Sequence, residues 1–142
     1  DTNGFVRVYN EEIEKLLTVT DLVLLDIKQM DDDKHIELTK VSNKRTLQFA
    51  EYLAKRGQKV WIRYVVVGGY TEDEASAHAL GAFLQPMNNI EKVELLPYHE
   101  LGKHKWAAMG ENYELSNVHP PSRDTMESVK AIISSYGLNV IY

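Results

Sequence analysis

The stretch LVLLDIK at residues 22–28 decides the fold class. Four consecutive aliphatic residues between polar segments predict a β-strand that is covered on both faces, as in a parallel sheet. Asp26 and Lys28 follow at once and, being two residues apart, share one face of the strand. The carboxyl ends of parallel strands form the edge at which such folds bind ligands. Taken alone, the stretch is equally consistent with a surface ion pair just beyond a strand.

The rest of the chain alternates predicted helices with predicted strands. Further strands are expected at residues 60–67, at 93–96 before Pro97, and at 138–142. Helices are expected to begin at Asn10, Asp31, Ser42, Thr71, and Ser122 or Thr125. This alternation predicts an α/β fold with a parallel sheet and right-handed crossovers. Periodicity does not decide between part of a barrel and a small open sheet.

Two finer predictions concern helix faces and helix ends. The first helix should bury a stripe formed by Ile13, Leu16 and Leu17, and the helix that begins near Ser42 should end at Gly57.

Composition places the chain among single-domain globular proteins. Its 142 residues are 44% hydrophobic, enough for one core, so we expect one domain over residues 1–142. The net charge of -5, with acids and bases interspersed, argues against a nucleic-acid-binding domain. No apolar run approaches the roughly 20 residues of a membrane span, and no secretory signal opens the chain. We therefore expect a cytoplasmic protein with no nucleic-acid or membrane partner.

The chain contains no cysteine. This excludes disulfides, thiolate zinc sites and a cysteine-held iron-sulfur cluster within these residues. The chain begins at Asp1 without an initiator methionine, in a segment typical of a strand end, so we expect a fragment of a longer protein.

Polar side chains at several strand ends form the candidate site. Asp26 and Lys28 close one strand, Arg63 interrupts the next, His99 follows the third, and Asp1 appears at the end of a fourth. Because neighbouring strands lie about 4.8 Å apart, these groups can converge on one ligand. The set suits a zwitterionic or anionic small molecule with a hydrogen-bonding ring. Two alternatives stay open: Arg63 as a structural bridge to Asp26, and His99 as a structural histidine.

Residues 98–121 show little periodicity, which is typical of a functional loop or a lid. Tyr98, Lys103, Lys105 and Trp106 form a basic and aromatic group that could stack on an adenine or receive a partner's peptide. Packing of Trp106 onto the sheet is the alternative.

The sequence offers no convincing metal-ligand set. The acids at 31–33 indicate a helix start, because consecutive helical residues do not converge on one ion. The histidines other than His99 are scattered over predicted helices and the loop, at positions 35, 78, 104 and 119.

Residues 1–4, 26–28, 60–67 and, above all, 95–106 (LLPYHELGKHKW) closely resemble the pyruvate formate-lyase activating enzymes. These are glycyl-radical activating enzymes within the radical S-adenosylmethionine class, and the resemblance runs over the whole chain. It implies the C-terminal part of a partial (β/α)6 TIM-like barrel. The CxxxCxxC and Gly-Gly-Glu motifs of that family are absent from these residues, so the cluster-binding part is not included.

The resemblance also implies an activity. Family members are oxidoreductases that reductively cleave S-adenosylmethionine at a [4Fe-4S] cluster and form a 5'-deoxyadenosyl radical. That radical takes a hydrogen from a glycine of pyruvate formate-lyase, which switches on anaerobic glucose metabolism. The implied partners are the lyase's glycine loop and a flavodoxin-like electron donor.

Residue roles carry over by position. Asp26, Ile27 and Lys28 resemble contacts to S-adenosylmethionine, Arg63 an inward-facing arginine, and His99 the histidine near the adenine. Asp1, Thr2 and Asp26 resemble a proposed monovalent-cation group, and no catalytic residue falls in this part.

The fragment alone is expected to be inactive. It is also expected to self-associate, because the strand that ends at Lys28 lacks a partner. Two rival functions remain: an activase for another glycyl-radical enzyme, and a cluster-free binding module.

Overall fold

The computed structural model describes residues 1–99, 108–110 and 118–142. In that part of the chain, helices and strands alternate as the sequence predicts. The helices are α1 Glu11–Thr18, α2 Asp32–Thr39, α3 Lys44–Arg56, α4 Glu74–Leu84 and α5 Arg123–Ser134. The strands are β1 Val23–Asp26, β2 Val60–Val66, β3 Ile90–Pro97 and β4 Val140–Ile141. The basic and aromatic group at Lys103, Lys105 and Trp106, together with His104, lies outside the described residues.

The four strands form one parallel sheet in the order β1-β2-β3-β4. Each crossover contains at least one helix, and the connection from β1 to β2 contains both α2 and α3. All strands therefore end at one edge of the sheet, as predicted.

The two faces of the sheet differ in burial. In β2, Val60, Ile62, Tyr64 and Val66 are buried, whereas the alternating residues between them are only partly buried. The buried set packs in one core with apolar residues of α1, α3, α4 and α5. Helices of the described residues therefore cover one face, and we refer to the other as the open face. The prediction that β1 is covered on both faces is wrong here, because its burial alternates in the same way.

Several local signals behave as the sequence predicts. The side chain of Asn10 accepts a hydrogen bond from the Ile13 N–H and caps α1, and Ser122 caps α5 in the same way. Gly57 ends α3 with φ of +67°, a conformation that glycine adopts without a steric penalty. These features depend on neighbouring residues only, so sequence suffices to find them.

Three local predictions are wrong. The N-cap of α3 is Asn43 rather than Ser42, and the N-cap of α4 is Asp73 rather than Thr71. Thr71 is instead fully buried, and its hydroxyl forms hydrogen bonds with the backbone of the turn that follows β2. Leu16 was expected to be buried with its helix stripe, but 58% of it is exposed, because no described residue covers that side of α1.

The segment before α1 pairs with the outer edge of β1. The Thr2 N–H donates to the Leu24 carbonyl (2.9 Å), and the Asp26 N–H donates to the Thr2 carbonyl (2.9 Å). This single parallel bridge to Leu25 places Asp1 beside the end of β1. The strand that ends at Lys28 is therefore partly paired, in contrast to the prediction that its outer edge is exposed.

Candidate functional site

Asp26 and Arg63 form the centre of the candidate site on the open face. They are register partners on β1 and β2, so their side chains project side by side. The Nε–H of Arg63 donates to Oδ1 of Asp26 at 2.8 Å. Both side chains are largely buried, with 22% and 19% of their surface exposed. The structural bridge that the sequence left open is therefore present.

Lys28 and Asp1 complete the charged cluster around this pair. The Lys28 ammonium donates to Oδ2 of Asp26 at 3.0 Å, so both carboxylate oxygens of Asp26 have a cationic partner. The Nη2 group of Arg63 donates in turn to the carboxylate of Asp1. We call these four residues the charged cluster. Two acids and two bases give it no net formal charge, and Lys28 keeps 35% of its side chain exposed.

This arrangement can bind a zwitterion by exchange of partners. A ligand carboxylate can replace part of the contact that Lys28 or Arg63 makes with Asp26, forming charge-assisted hydrogen bonds. A ligand ammonium can then take the released carboxylate oxygens. Because the Asp26–Arg63 pair is already largely buried, such exchange avoids leaving a buried charge without a partner.

Ile27 and His99 lie at the same edge of the sheet but contribute differently. Ile27 is fully buried in the core, and its N–H donates to the Arg63 carbonyl at 3.0 Å. The Ile27 side chain therefore does not contact a ligand, and Ile27 contributes to the site only by fixing the position of the backbone. His99 is exposed and follows β3, where the Tyr98 N–H still donates to the Val66 carbonyl at 3.0 Å.

The three residues of the predicted cation group are close together. The Arg63 guanidinium bonds to Asp1 and to Asp26, so its charge lies between their carboxylates. The Thr2 hydroxyl accepts a hydrogen bond from the Gly4 N–H at 3.0 Å. Among the described residues, no three His, Cys, Asp or Glu side chains form a metal-binding group. A monovalent cation at this position stays a prediction.

A cavity of about 190 Å³ lies beside the charged cluster. Asp26 and Lys28 line one side of it, and the N-terminal segment and α2 supply Asn3 and His35. His35 is nearly buried, and its Nδ1 lies 2.7 Å from the Val41 carbonyl, which is an obligate acceptor. Nδ1 therefore carries the proton, and the imidazole has a structural role in joining α2 to the following turn.

Sequence reasoning missed a second polar group on the open face. The Nζ atom of Lys92, on β3, is 3.6 Å from the ring centroid of Trp61 and 3.6 Å from Oε1 of Glu94. Trp61 pairs with Lys92, and Arg63 pairs with Glu94, in the register of β2 and β3. The alternation of Lys92 and Glu94 around the buried Val93 was the available signal, since it puts both charges on one face.

No helix among the described residues has the length and apolar character needed to cross a membrane. Comparison with models of protein families found no match.

Comparison with known proteins gives a consistent answer over the whole chain. The sequence is 61% identical over 142 residues to the pyruvate formate-lyase 1-activating enzyme of Escherichia coli (strain K12). The chain matches the C-terminal part of that enzyme. It is also 44% identical over 137 residues to the pyruvate formate-lyase-activating enzyme of Staphylococcus aureus (strain USA300). The chain covers 58% and 53% of these two relatives, just over half of each.

Solved structures support the fold. A domain of a pyruvate-formate lyase-activating enzyme from Bacteroides vulgatus superposes with a TM-score of 0.77 at 23% identity, covering 94% of this chain and 73% of that one. A radical SAM methyltransferase from Sphaerobacter thermophilus gives a TM-score of 0.66 at 19% identity, covering 92% of this chain and 36% of that one. At these identities the likeness shows the fold alone. It confirms the predicted α/β class with parallel strands, as part of a TIM-like barrel.

Proposed function

We propose that this chain is the S-adenosylmethionine-binding part of an enzyme that generates the glycyl radical on pyruvate formate-lyase. One observation carries the proposal. The charged cluster lies at the carboxyl edge of the sheet, in a chain 61% identical to the E. coli activating enzyme. Ligands of α/β folds bind at that edge.

The chain's own residues bind and orient the ligand in this proposal. Lys28 and Arg63 receive the carboxylate of the methionine moiety, and the Asp26 carboxylate holds these two cations in place. Ile27 holds the backbone between these groups, and His99 lies on the adenine side. Thr2, with Asp1 and Asp26, is proposed to hold a monovalent cation. S-adenosylmethionine, when bound and reduced at a [4Fe-4S] cluster, would supply the radical that takes the glycine hydrogen.

The cluster itself does not fit these residues. Its ligands are cysteine thiolates, and the chain contains no cysteine. In the proposed whole enzyme, the cluster is held by residues outside these 142. The 142-residue chain alone is therefore proposed to be inactive.

The proposed setting follows from the same family. The whole enzyme is an oxidoreductase of the cytoplasm that receives electrons from a flavodoxin-like donor and acts on the glycine loop of the lyase. The isolated chain is proposed to self-associate through the exposed side of α1, where Leu16 and Val19 are 58% and 79% exposed.

One alternative function is a binding module that uses the same cleft without a cluster, and the absence of cysteine from these 142 residues fits this function and the proposed enzyme equally. Both functions require ligand binding at the charged cluster. They differ in whether a longer protein that contains this chain cleaves S-adenosylmethionine under reducing conditions.

Titration calorimetry of S-adenosylmethionine into the 142-residue chain tests the site. We expect binding in the parent chain and at least about tenfold weaker binding in Asp26→Ala, because Lys28 and Arg63 lose their shared partner (about 1.4 kcal/mol per tenfold). His99→Ala should weaken binding through the adenine. Lys15→Ala is the matched control, because its exposed cation on α1 pairs with Glu11 and not with the cluster. Equal affinity in Asp26→Ala and in the parent would refute the site assignment, as would no binding by the parent.

A further inference from the structure

Gln29 follows directly after Lys28 and is 1% exposed. Its carbonyl Oε1 accepts hydrogen bonds from the N–H groups of Met30 (2.6 Å) and Asp31 (3.1 Å). Its Nε2 donates to the Tyr70 carbonyl and to Oγ of Ser76 (3.2 Å). One buried amide thus ties the turn after β1 to the turn after β2 and to α4.

Asn43 holds the same turn from the opposite side. Its Nδ2 donates to the carbonyls of Gln29 (3.0 Å) and Met30 (2.7 Å), and the residue is 3% exposed. Asn43 is also the N-cap of α3, yet its side chain makes no capping hydrogen bond. Capping by asparagine stabilises a helix by about 1 kcal/mol. The Asn43 side chain therefore bonds to the turn after β1 and does not cap α3.

The two amides restrict the backbone that carries Lys28. On one side, the Ile27 N–H is bonded to the Arg63 carbonyl. On the other side, Gln29 is bonded through its carbonyl and through its side chain to three other segments. Lys28 lies between these two fixed points, so the position of its ammonium relative to Asp26 depends on both.

The Ser76 hydroxyl that accepts from Gln29 is itself held by a hydrogen bond. Ser76 Oγ donates to Oδ2 of Asp73, the N-cap of α4, at 2.8 Å. Burial acts to raise the pKa of Asp73, but hydrogen bonds from Ser76 and the Lys34 ammonium outweigh it and hold that pKa below its usual value. Asp73 is therefore ionised at neutral pH and keeps the Ser76 hydroxyl oriented beside Gln29.

We propose that Gln29 and Asn43 are positioning residues for the charged cluster. They fix the turn after β1. This turn sets the distance of the Lys28 ammonium from Asp26 and from Arg63, so that all three groups face the ligand. This inference rests on the proposed function, since it assigns how that binding site is held. Binding sites require their contacting groups to be held within about 0.5 Å, which a buried network of satisfied hydrogen bonds achieves.

Two variants and one matched control test this by S-adenosylmethionine calorimetry on the 142-residue chain. Gln29→Met keeps the length of the side chain but removes all four of its hydrogen bonds. Asn43→Ser keeps a good N-cap for α3, but the shorter side chain cannot reach the turn. This variant tests the inference even if Gln29→Met does not fold. Asn89→Leu is the control: its Nδ2 donates to the Gln58 carbonyl (2.7 Å) at the opposite edge of the sheet. It removes a side-chain hydrogen bond of a partly buried amide that does not contact the cluster.

We expect about tenfold weaker binding in Gln29→Met and in Asn43→Ser, and no more than about twofold weaker binding in Asn89→Leu (tenfold corresponds to about 1.4 kcal/mol). Parent-like affinity in both cluster-side variants overturns the inference while leaving the proposed function intact. Equal weakening in Asn89→Leu also overturns it, because general destabilisation then explains the loss.

A second readout does not depend on the ligand. Amide hydrogen exchange at Ile27, whose N–H is bonded to the Arg63 carbonyl, reports local opening of the backbone beside Lys28. We expect exchange at this amide to accelerate at least about tenfold in Asn43→Ser and to remain parent-like in Asn89→Leu. If the parent does not bind S-adenosylmethionine, the proposed site fails and this measurement alone decides the positioning role. Unchanged exchange in Asn43→Ser overturns it.

Discussion

At the scale of single residues, Thr71 shows how a tertiary hydrogen bond displaces a common local role. The hydroxyl donates to the Val65 carbonyl at 2.7 Å and accepts from the Val67 N–H at 2.6 Å. These bonds close the turn that follows β2, and the side chain is fully buried. The acid two residues later, Asp73, then caps α4 in its place.

Thr71→Val should destabilise the chain by about 1–3 kcal/mol, because the isosteric valine leaves the buried Val67 N–H without its acceptor. Urea unfolding followed by circular dichroism measures this. Thr18→Val is the matched control: its hydroxyl also bonds to a carbonyl, that of Glu14, but at an exposed position. We expect that control to change stability by no more than about 0.5 kcal/mol. Similar losses in both variants would contradict this explanation.

At the scale of helices and strands, α4 packs through a glycine against Tyr136, in the turn that follows α5. A Cβ atom added at Gly81 would come within 2.8 Å of Cε2 of Tyr136 and overlap the neighbouring ring carbon. The Tyr136 hydroxyl lies 2.9 Å from Nδ1 of His78 on α4, so the ring is held over the glycine. The glycine lowers the helix propensity of α4 but permits this close approach.

Gly81→Ala should therefore destabilise the chain by about 1–3 kcal/mol through overpacking, although alanine is the better helix former. In a double-mutant cycle, the added methyl should cost less in a Tyr136→Ala background, because the ring that it meets is gone. Thermal or urea unfolding gives the four stabilities. Gly68→Ala is the control, since its Cβ would meet nothing closer than 3.5 Å. An equal cost of Gly81→Ala in both backgrounds would count against the contact.

At the scale of the whole molecule, the described residues leave two surfaces incompletely covered. One is the open face of the sheet, with its charged cluster and the Trp61, Lys92 and Glu94 group. The other is the apolar side of α1, next to a cavity of about 330 Å³ that Leu16 and Leu22 help to line. The chain spans just over half of the relatives that it matches. An exposed apolar surface of this kind favours association.

Leu16→Lys should reduce self-association of the isolated chain, because it places a charge on the apolar side of α1. Light scattering over a concentration series should show an increasing mass for the parent and a constant monomer mass for the variant. Ile36→Lys is the control, since it makes the same type of change at an exposed aliphatic residue of α2. A parent chain that stays monomeric at high concentration refutes the proposal.

Much of the fold and part of the site could be predicted before the structure. The alternation of helices and strands, the caps at Asn10 and Ser122, and the helix end at Gly57 depend on residues close in sequence. The error at Ser42 is a shift of one residue, since its Oγ still accepts from the Lys44 N–H at the start of α3. The errors at Thr71 and Leu16 have one origin: a local pattern competes there with a contact, or with the absence of one, that only the packed chain defines.

The amino-acid sequence alone was sufficient for the fold class and for the edge of the sheet where Asp26, Lys28 and Arg63 lie, because hydrophobic periodicity encodes strands and strand ends. The tertiary structure decided which of these groups are in contact. Arg63 bonds to Asp26 37 positions away and to Asp1 62 positions away, and Gln29 donates to Ser76 47 positions away. Such pairs follow from strand register and helix placement, which are set by the packing of the whole core, so no local pattern in the sequence specifies them.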